Sequence, residues 1–254
     1  MSMRKKELWN FLFSSYFEFL PEELEAELSD TRKKEIAMKC ARRAYRDFNR
    51  TLRFTSKDQK LRENFRDTIC EFIASEIPKL LQAGDEFDKR HKEICEAIIT
   101  ETIGWKENGK KLLKSPGKGK VAFSYGQAQK WLNMAIKYVW LLGLWADEFR
   151  AMQDKLHIPV DRYILKAASA TKEQNLYGLA LKCIPFKKKY KKGKYTCDKY
   201  SEEKTLPWSQ WDYKAYIDFI GELQAKLKAL GETPIEWENK AWIEQSKIES
   251  GKES

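Results

Sequence analysis

A lysine and an aspartate are placed where they could do chemistry together. Lys130 follows Gln129 in a stretch that reads as the start of a helix, and Asp161 closes the run Ile158-Pro159-Val160-Asp161 thirty-one residues later. Trp131, Leu132 and Met134 put apolar walls around Lys130. Burial disfavours the charged form of an amine, and a neutral amine is a nucleophile. Asp161 follows a proline that forces its predecessor into extended backbone, so a new helix opens at the aspartate. A carboxylate there can cap the helix and also face a developing positive charge. Each residue also has a plainer reading. A lysine stem often runs along an apolar surface with its head in water, and an aspartate after such a turn is a good N-cap.

These two residues must be positioned by helices. Apolar residues recur at helical steps through most of the chain. Lys5 to Leu20 carries Trp9, Phe13, Phe17 and Leu20, and Pro21 opens a short second helix. Thr31 to Phe54 carries Ile36, Cys40, Ala44 and Phe48; Ser56 is expected to cap the helix that follows, with Leu61, Phe65, Ile69, Phe72 and Ile73. Further helices are expected over Asp85 to Gly104, Tyr125 to Leu142 (capped by Ser124), Ala146 to Leu156, Asp161 to Ser169, Trp211 to Leu230 and Pro234 to Ser246. Repeats, heptads and alternating strand–helix units are absent. The expected class is therefore all-α. The chain divides into N-terminal helices (1–105), a basic loop (106–122), the segment with Lys130 and Asp161 (123–182), a second basic loop (183–207) and C-terminal helices (208–248). The second loop has room for a small β-hairpin around Gly193.

The 254 residues suffice for one large domain or two joined lobes, and the net charge is +10. The excess gathers in two places: the lysine–glycine loop with Lys118 and Lys120, and the run Phe186 to Lys194 with Lys188, Lys189, Lys191 and Lys192. Basic loops on a helical scaffold suit a polyanion, although such loops are often only solvated. Five scattered cysteines without a CxxC form no disulfide framework and suit a reducing cytoplasm. With two histidines, His91 and His157, a His-rich metal site is excluded, and neither metal nor cofactor is expected. No apolar run reaches membrane-spanning length and no signal peptide is read at the N-terminus. Ser/His/Asp and metal-dependent hydrolases are poorly supported.

The ordered set resembles the helix-hairpin-helix DNA glycosylase superfamily, and within it the archaeal 8-oxoguanine glycosylases. In that branch a Gln-Lys pair carries the nucleophile, and the lysine-to-aspartate spacing is unusually long. Gln129-Lys130 and Ile158-Pro159-Val160-Asp161 match both features, and Glu238 and Trp242 match an acid and a tryptophan four apart on the last helices. The likeness runs from about Ser124 to Trp242. It departs in three ways: only Gly126 precedes the lysine where a Gly-rich hairpin would stand, Met134 replaces a base-sandwiching aromatic, and Glu238 replaces an aspartate.

The resemblance implies a two-lobed helical fold with a divergent helix-hairpin-helix. It implies an enzyme hydrolysing N-glycosyl bonds in double-stranded DNA as a monomer, with strand cleavage as a further capability. Lys130 and Asp161 would be catalytic. Trp242, Glu238, Met134 and Gln129 would bind the base. Gly126 and the six loop lysines named above would hold the DNA backbone. Antiphage glycosylases of bacteria that resemble this branch release α-glucosyl-hydroxymethylcytosine from phage DNA, and the Met134 change favours that substrate over 8-oxoguanine. Two readings without this chemistry compete: a non-catalytic helical module that binds nucleic acid through its lysine loops, and a protein-interaction module with exposed aromatics. His157 is expected in a turn, where it could touch a phosphate. Trp131, Trp208 and Trp211 are expected in the core.

Overall fold

A computed structural model describes residues 3–24, 27–185, 196–197 and 205–251. Among them are nine α-helices and four two-residue strands, which makes the protein predominantly helical. The helices are α1 (Met3–Phe17), α2 (Asp30–Phe48), α3 (Gln59–Leu81), α4 (Phe87–Gly104), α5 (Tyr125–Leu141), α6 (Ala146–Met152), α7 (Arg162–Ser169), α8 (Tyr213–Leu230) and α9 (Pro234–Glu249). No helix among the described residues is long and apolar enough to cross a membrane.

Helix α5 is the axis of the fold. Every residue from Tyr125 to Val139 is buried. A helix covered on all sides must be packed on all sides, and α2, α3, α4 and α8 surround it. Buried apolar side chains form one contiguous cluster that includes Ile36, Phe48, Phe65, Ile98, Trp131, Ile164, Trp211 and Trp237. Trp131 and Trp211 are fully buried, and Trp208 packs against the cluster.

Several boundaries differ from the sequence expectation. The cap of α3 is Asp58, whose carboxylate accepts from the Leu61 N–H, while Ser56 Oγ accepts from the Asp58 N–H just before it. Either residue type caps well, so composition alone does not choose between them. Pro21–Leu24 is a 3-10 turn, α6 stops at Met152, and α9 continues to Glu249. On α1 only Phe13 and Phe17 of the expected apolar series are buried; Trp9 and Leu20 are exposed.

The first basic loop holds a hairpin. Strand β1 (Lys106–Glu107) pairs antiparallel with β2 (Lys110–Lys111) around Asn108-Gly109, both at positive φ. Asn-Gly is the pair that tolerates this tight turn. The hairpin is anchored to residues 53–55, where the Thr55 N–H donates to Leu112 O and the Lys114 N–H to Arg53 O. In the second basic loop β3 (Ile184–Pro185) pairs antiparallel with β4 (Thr196–Cys197), as a hairpin there would require. Lys188, Lys189, Lys191 and Lys192 lie outside the described residues.

Candidate functional site

The start of α5 is locked before it delivers Lys130. Ser124 Oγ accepts from the Gln127 N–H, and the Gln127 side chain accepts from the Ser124 N–H, a capping box that satisfies two otherwise unpaired donors. Ser124 Oγ also donates to Ser209 O. The Gly126 N–H donates to Trp211 O at 3.0 Å. A methyl at Gly126 would lie 1.8 Å from Trp208 O. Gly126 is thus a close-packing position whose amide is already engaged. The phosphate contact implied by resemblance finds no donor there in this conformation.

Lys130 stands between the first and second turns of α5 and is 4% exposed. Its amine donates to Asp161 Oδ2 at 2.9 Å. Asp161 reaches it because Ile158 and Val160, both fully buried, pin the turn around Pro159 to the core. Asp161 then caps α7: its Oδ1 accepts from the Ile164 N–H at 3.0 Å. The two plain readings of the sequence are therefore only half right. The lysine head is not in water, and the cap also serves an ion pair. Trp242 completes the group by donating its indole N–H to Asp161 Oδ2 at 3.3 Å, with its ring 5.3 Å from that of Tyr163.

Burial works against ionising Asp161. The adjacent Lys130, the Ile164 N–H and the Trp242 N–H outweigh it and hold the carboxyl below the usual aspartate value. An acid whose folded value is depressed stabilises the fold above its unfolded value, near pH 4, and loses that contribution as pH falls. Asp161→Asn keeps a capping oxygen but removes the charge. At pH 7 it is expected to lower unfolding stability by about 1.5–3 kcal/mol, the range for a hydrogen bond to a charged group. Urea titrations should show the gap from the parent closing below about pH 4; a gap constant with pH would contradict the assignment.

A second ion pair lies two turns along the same face. Lys137 is seven residues beyond Lys130, and its amine is 2.6 Å from Glu238 Oε2. Glu238 is 1% exposed. Burial pushes its carboxyl up despite the neighbouring Lys137. Met134 sits between the two lysines on α5 and is almost wholly covered. Helix α9 thus supplies Glu238 and Trp242 one turn apart, facing Lys137 and the Lys130–Asp161 pair in turn.

A third charged group has no counterpart in the sequence expectation. On α2, Asp47 accepts from the Tyr138 hydroxyl at 2.6 Å and pairs with Arg43 at 3.1 Å. Tyr16 hydrogen-bonds Tyr138 at 2.8 Å, and Arg43 lies over the Tyr16 ring. Burial raises the Asp47 carboxyl, with Tyr138 and Arg43 opposing. Its charge is felt at Lys130 and Asp161, as is that of Glu238. Three cations and three acids thus cluster around α5, an expensive arrangement in an interior unless each charge is paired.

One residue expected to bind the base has another duty. Gln129 is fully buried. Its amide donates to Gly126 O and Val160 O, and its oxygen accepts from the Val160 N–H. It ties α5 to the aspartate turn and presents nothing to a base. His157 is also buried, and it pairs with Asp88 at 3.0 Å. It lies in the turn as expected, with its ring turned into the core. Lys118 and Lys120 are exposed on the first basic loop. Among the described residues no group of three or more His, Cys, Asp or Glu side chains is arranged to hold a metal ion.

No protein-family model matches this chain, and neither a curated protein nor a solved structure is significantly similar to it.

Proposed function

We propose that the protein is a DNA glycosylase that flips out and excises a modified base and leaves an abasic site. The observation that carries this reading is the pair of buried Lys130 and part-buried Asp161, at 2.9 Å, with the Trp242 indole on the same carboxylate. A base inside a duplex hides its sugar carbon, so the nucleotide must leave the stack first. Lys130, having passed its proton to solvent or to the substrate, attacks C1′. The bond from C1′ to the base nitrogen breaks, its electron pair leaves with the base, and the base takes up a proton. Loss of the remaining amine proton with opening of the sugar ring gives an imine on Lys130. Water then returns the free lysine and the abasic sugar, or loss of the C2′ proton expels the 3′ phosphate.

Asp161 is held in its ionised form, which suits it to stabilise positive charge on the sugar rather than to store a proton. Trp242 offers a face for the extruded base. Glu238, buried against Lys137, would have to be uncovered as the base enters before it could accept from the edge of that base. Met134 stands where the resembled glycosylases place a base-sandwiching aromatic, and that change argues for a different base. This favours α-glucosyl-hydroxymethylcytosine in phage DNA, removed as a defence, over 8-oxoguanine. The exposed lysines of the first loop would follow phosphates. Replacing both Lys118 and Lys120 with alanine is expected to weaken DNA binding equally across sequences. The log–log salt slope should fall by about 2, near one unit for each phosphate no longer neutralised. An unchanged slope would remove these lysines from the interface.

The test of the reading is incubation with unmodified DNA, glucosylated phage DNA and an 8-oxoguanine duplex, with released bases identified by mass spectrometry. Release of the glucosylated base is expected. Release of 8-oxoguanine alone would move the function to oxidative repair, and release of nothing would favour the non-catalytic nucleic-acid module.

A further inference from the structure

We infer that Asn133 is a positioning residue that sets the geometry of the Lys130–Asp161 pair. Asn133 is fully buried on α5, three residues after Lys130. Its Nδ2 has two hydrogens and three acceptors within reach: Ile158 O at 2.9 Å, Tyr216 Oη at 2.8 Å and Gln129 Oε1 at 3.2 Å. Its Oδ1 lies 2.8 Å from His91 Nε2. Burial, reinforced by the nearby His157, keeps His91 neutral. With its proton on Nε2, His91 donates to Oδ1 and fixes which end of the amide faces the turn.

The consequence reaches Asp161 through backbone. Ile158 O and both polar groups of Val160 are held by Asn133 and Gln129, two amides four apart on one face of α5. The turn around Pro159 therefore cannot slide along α5 without breaking buried hydrogen bonds. The residue it delivers, Asp161, is set against Lys130. Neither Asn133 nor His91 touches the ion pair itself, so their effect would act only through position. Tyr216, Tyr125 and Cys95 close the pocket around His91, and burial keeps their hydroxyl and thiol groups protonated; the acid felt at His91 from that side is Asp88, which is paired with His157.

This inference rests on Lys130 and Asp161 being the reacting pair, so its test has an arm that needs no DNA. Asn133→Leu removes the donor at nearly constant volume; Asn133→Ser is the milder variant should the first not fold. Folding is checked by circular dichroism and a cooperative urea transition. Without DNA, the rate of reductive methylation of Lys130 is measured against that of exposed Lys118. Methylation of Lys130 is expected to rise in the variant while that of Lys118 stays constant. With saturating DNA, single-turnover base release is expected to fall by ~10²-fold, the scale of a 1 Å misplacement, while DNA affinity stays within about twofold. A folded variant with parental Lys130 methylation would overturn the inference. Should the parent release no base, the glycosylase reading fails, and the methylation arm still decides whether Asn133 positions the pair.

Discussion

Lys130→Gln is expected to abolish base release, with a loss of about 10³-fold or more in single-turnover rate. Glutamine has similar reach and can still donate a hydrogen bond to Asp161, but it has no nucleophilic lone pair. The part-buried carboxylate keeps the Ile164 and Trp242 N–H groups as partners, so the variant should fold. DNA affinity should hardly change, because the phosphates would be met by the exposed loops rather than by a lysine that is 4% exposed. This separation of chemistry from binding distinguishes a glycosylase from a module that only holds DNA. In such a module Lys130→Gln would lower stability and leave every DNA readout alone. Release persisting within tenfold of the parent, an activation-energy difference of about 1.4 kcal/mol, would mean that the nucleophile is elsewhere.

Gly126→Ala is expected to have the largest effect on stability. The added methyl would meet Trp208 O at 1.8 Å, Trp208 C at 3.0 Å and Trp211 N at 3.3 Å. All three are backbone atoms and cannot swing aside as a side chain would. The first turn of α5 must therefore part from residues 208–211, breaking the Gly126–Trp211 hydrogen bond. A cost of about 3 kcal/mol or more follows from overpacking combined with the broken buried bond. Gly104→Ala is the control: its methyl would meet nothing within 4 Å. At that position the helix-favouring change should be neutral or slightly stabilising, by up to about 1 kcal/mol. Equal stabilities for the two variants in urea would show that α5 packs more loosely on residues 208–211 than its geometry implies.

The features legible in the sequence were those fixed by local chemistry. Ser124 and Gln127 are three apart and define the start of α5; Pro159 must break a helix, and Asp161 is a natural cap for the next one. The candidate site is legible where its members match an ordered motif: Lys130 thirty-one residues before Asp161, and Glu238 four before Trp242. Lys137 could have been found by the same logic, since a second lysine seven residues on in an apolar helix shares the face of the first. Asp47 could not, because its partners Arg43, Tyr138 and Tyr16 come together only when α1, α2 and α5 pack. Asn133 was hidden for a related reason. A buried amide has no periodicity of its own, and its value lies in carbonyls and hydroxyls that are distant in sequence. Gln129 reads as a base contact because it adjoins Lys130. Adjacent residues on a helix point about 100° apart, and its amide faces the aspartate turn instead.

The most direct measurement is borohydride trapping with the glucosylated DNA, followed by peptide mass spectrometry of the adduct. The account predicts base release and a single DNA adduct on the peptide carrying Lys130, both absent in Lys130→Gln. An adduct on another lysine, or neither adduct nor base release from any modified DNA, would contradict it.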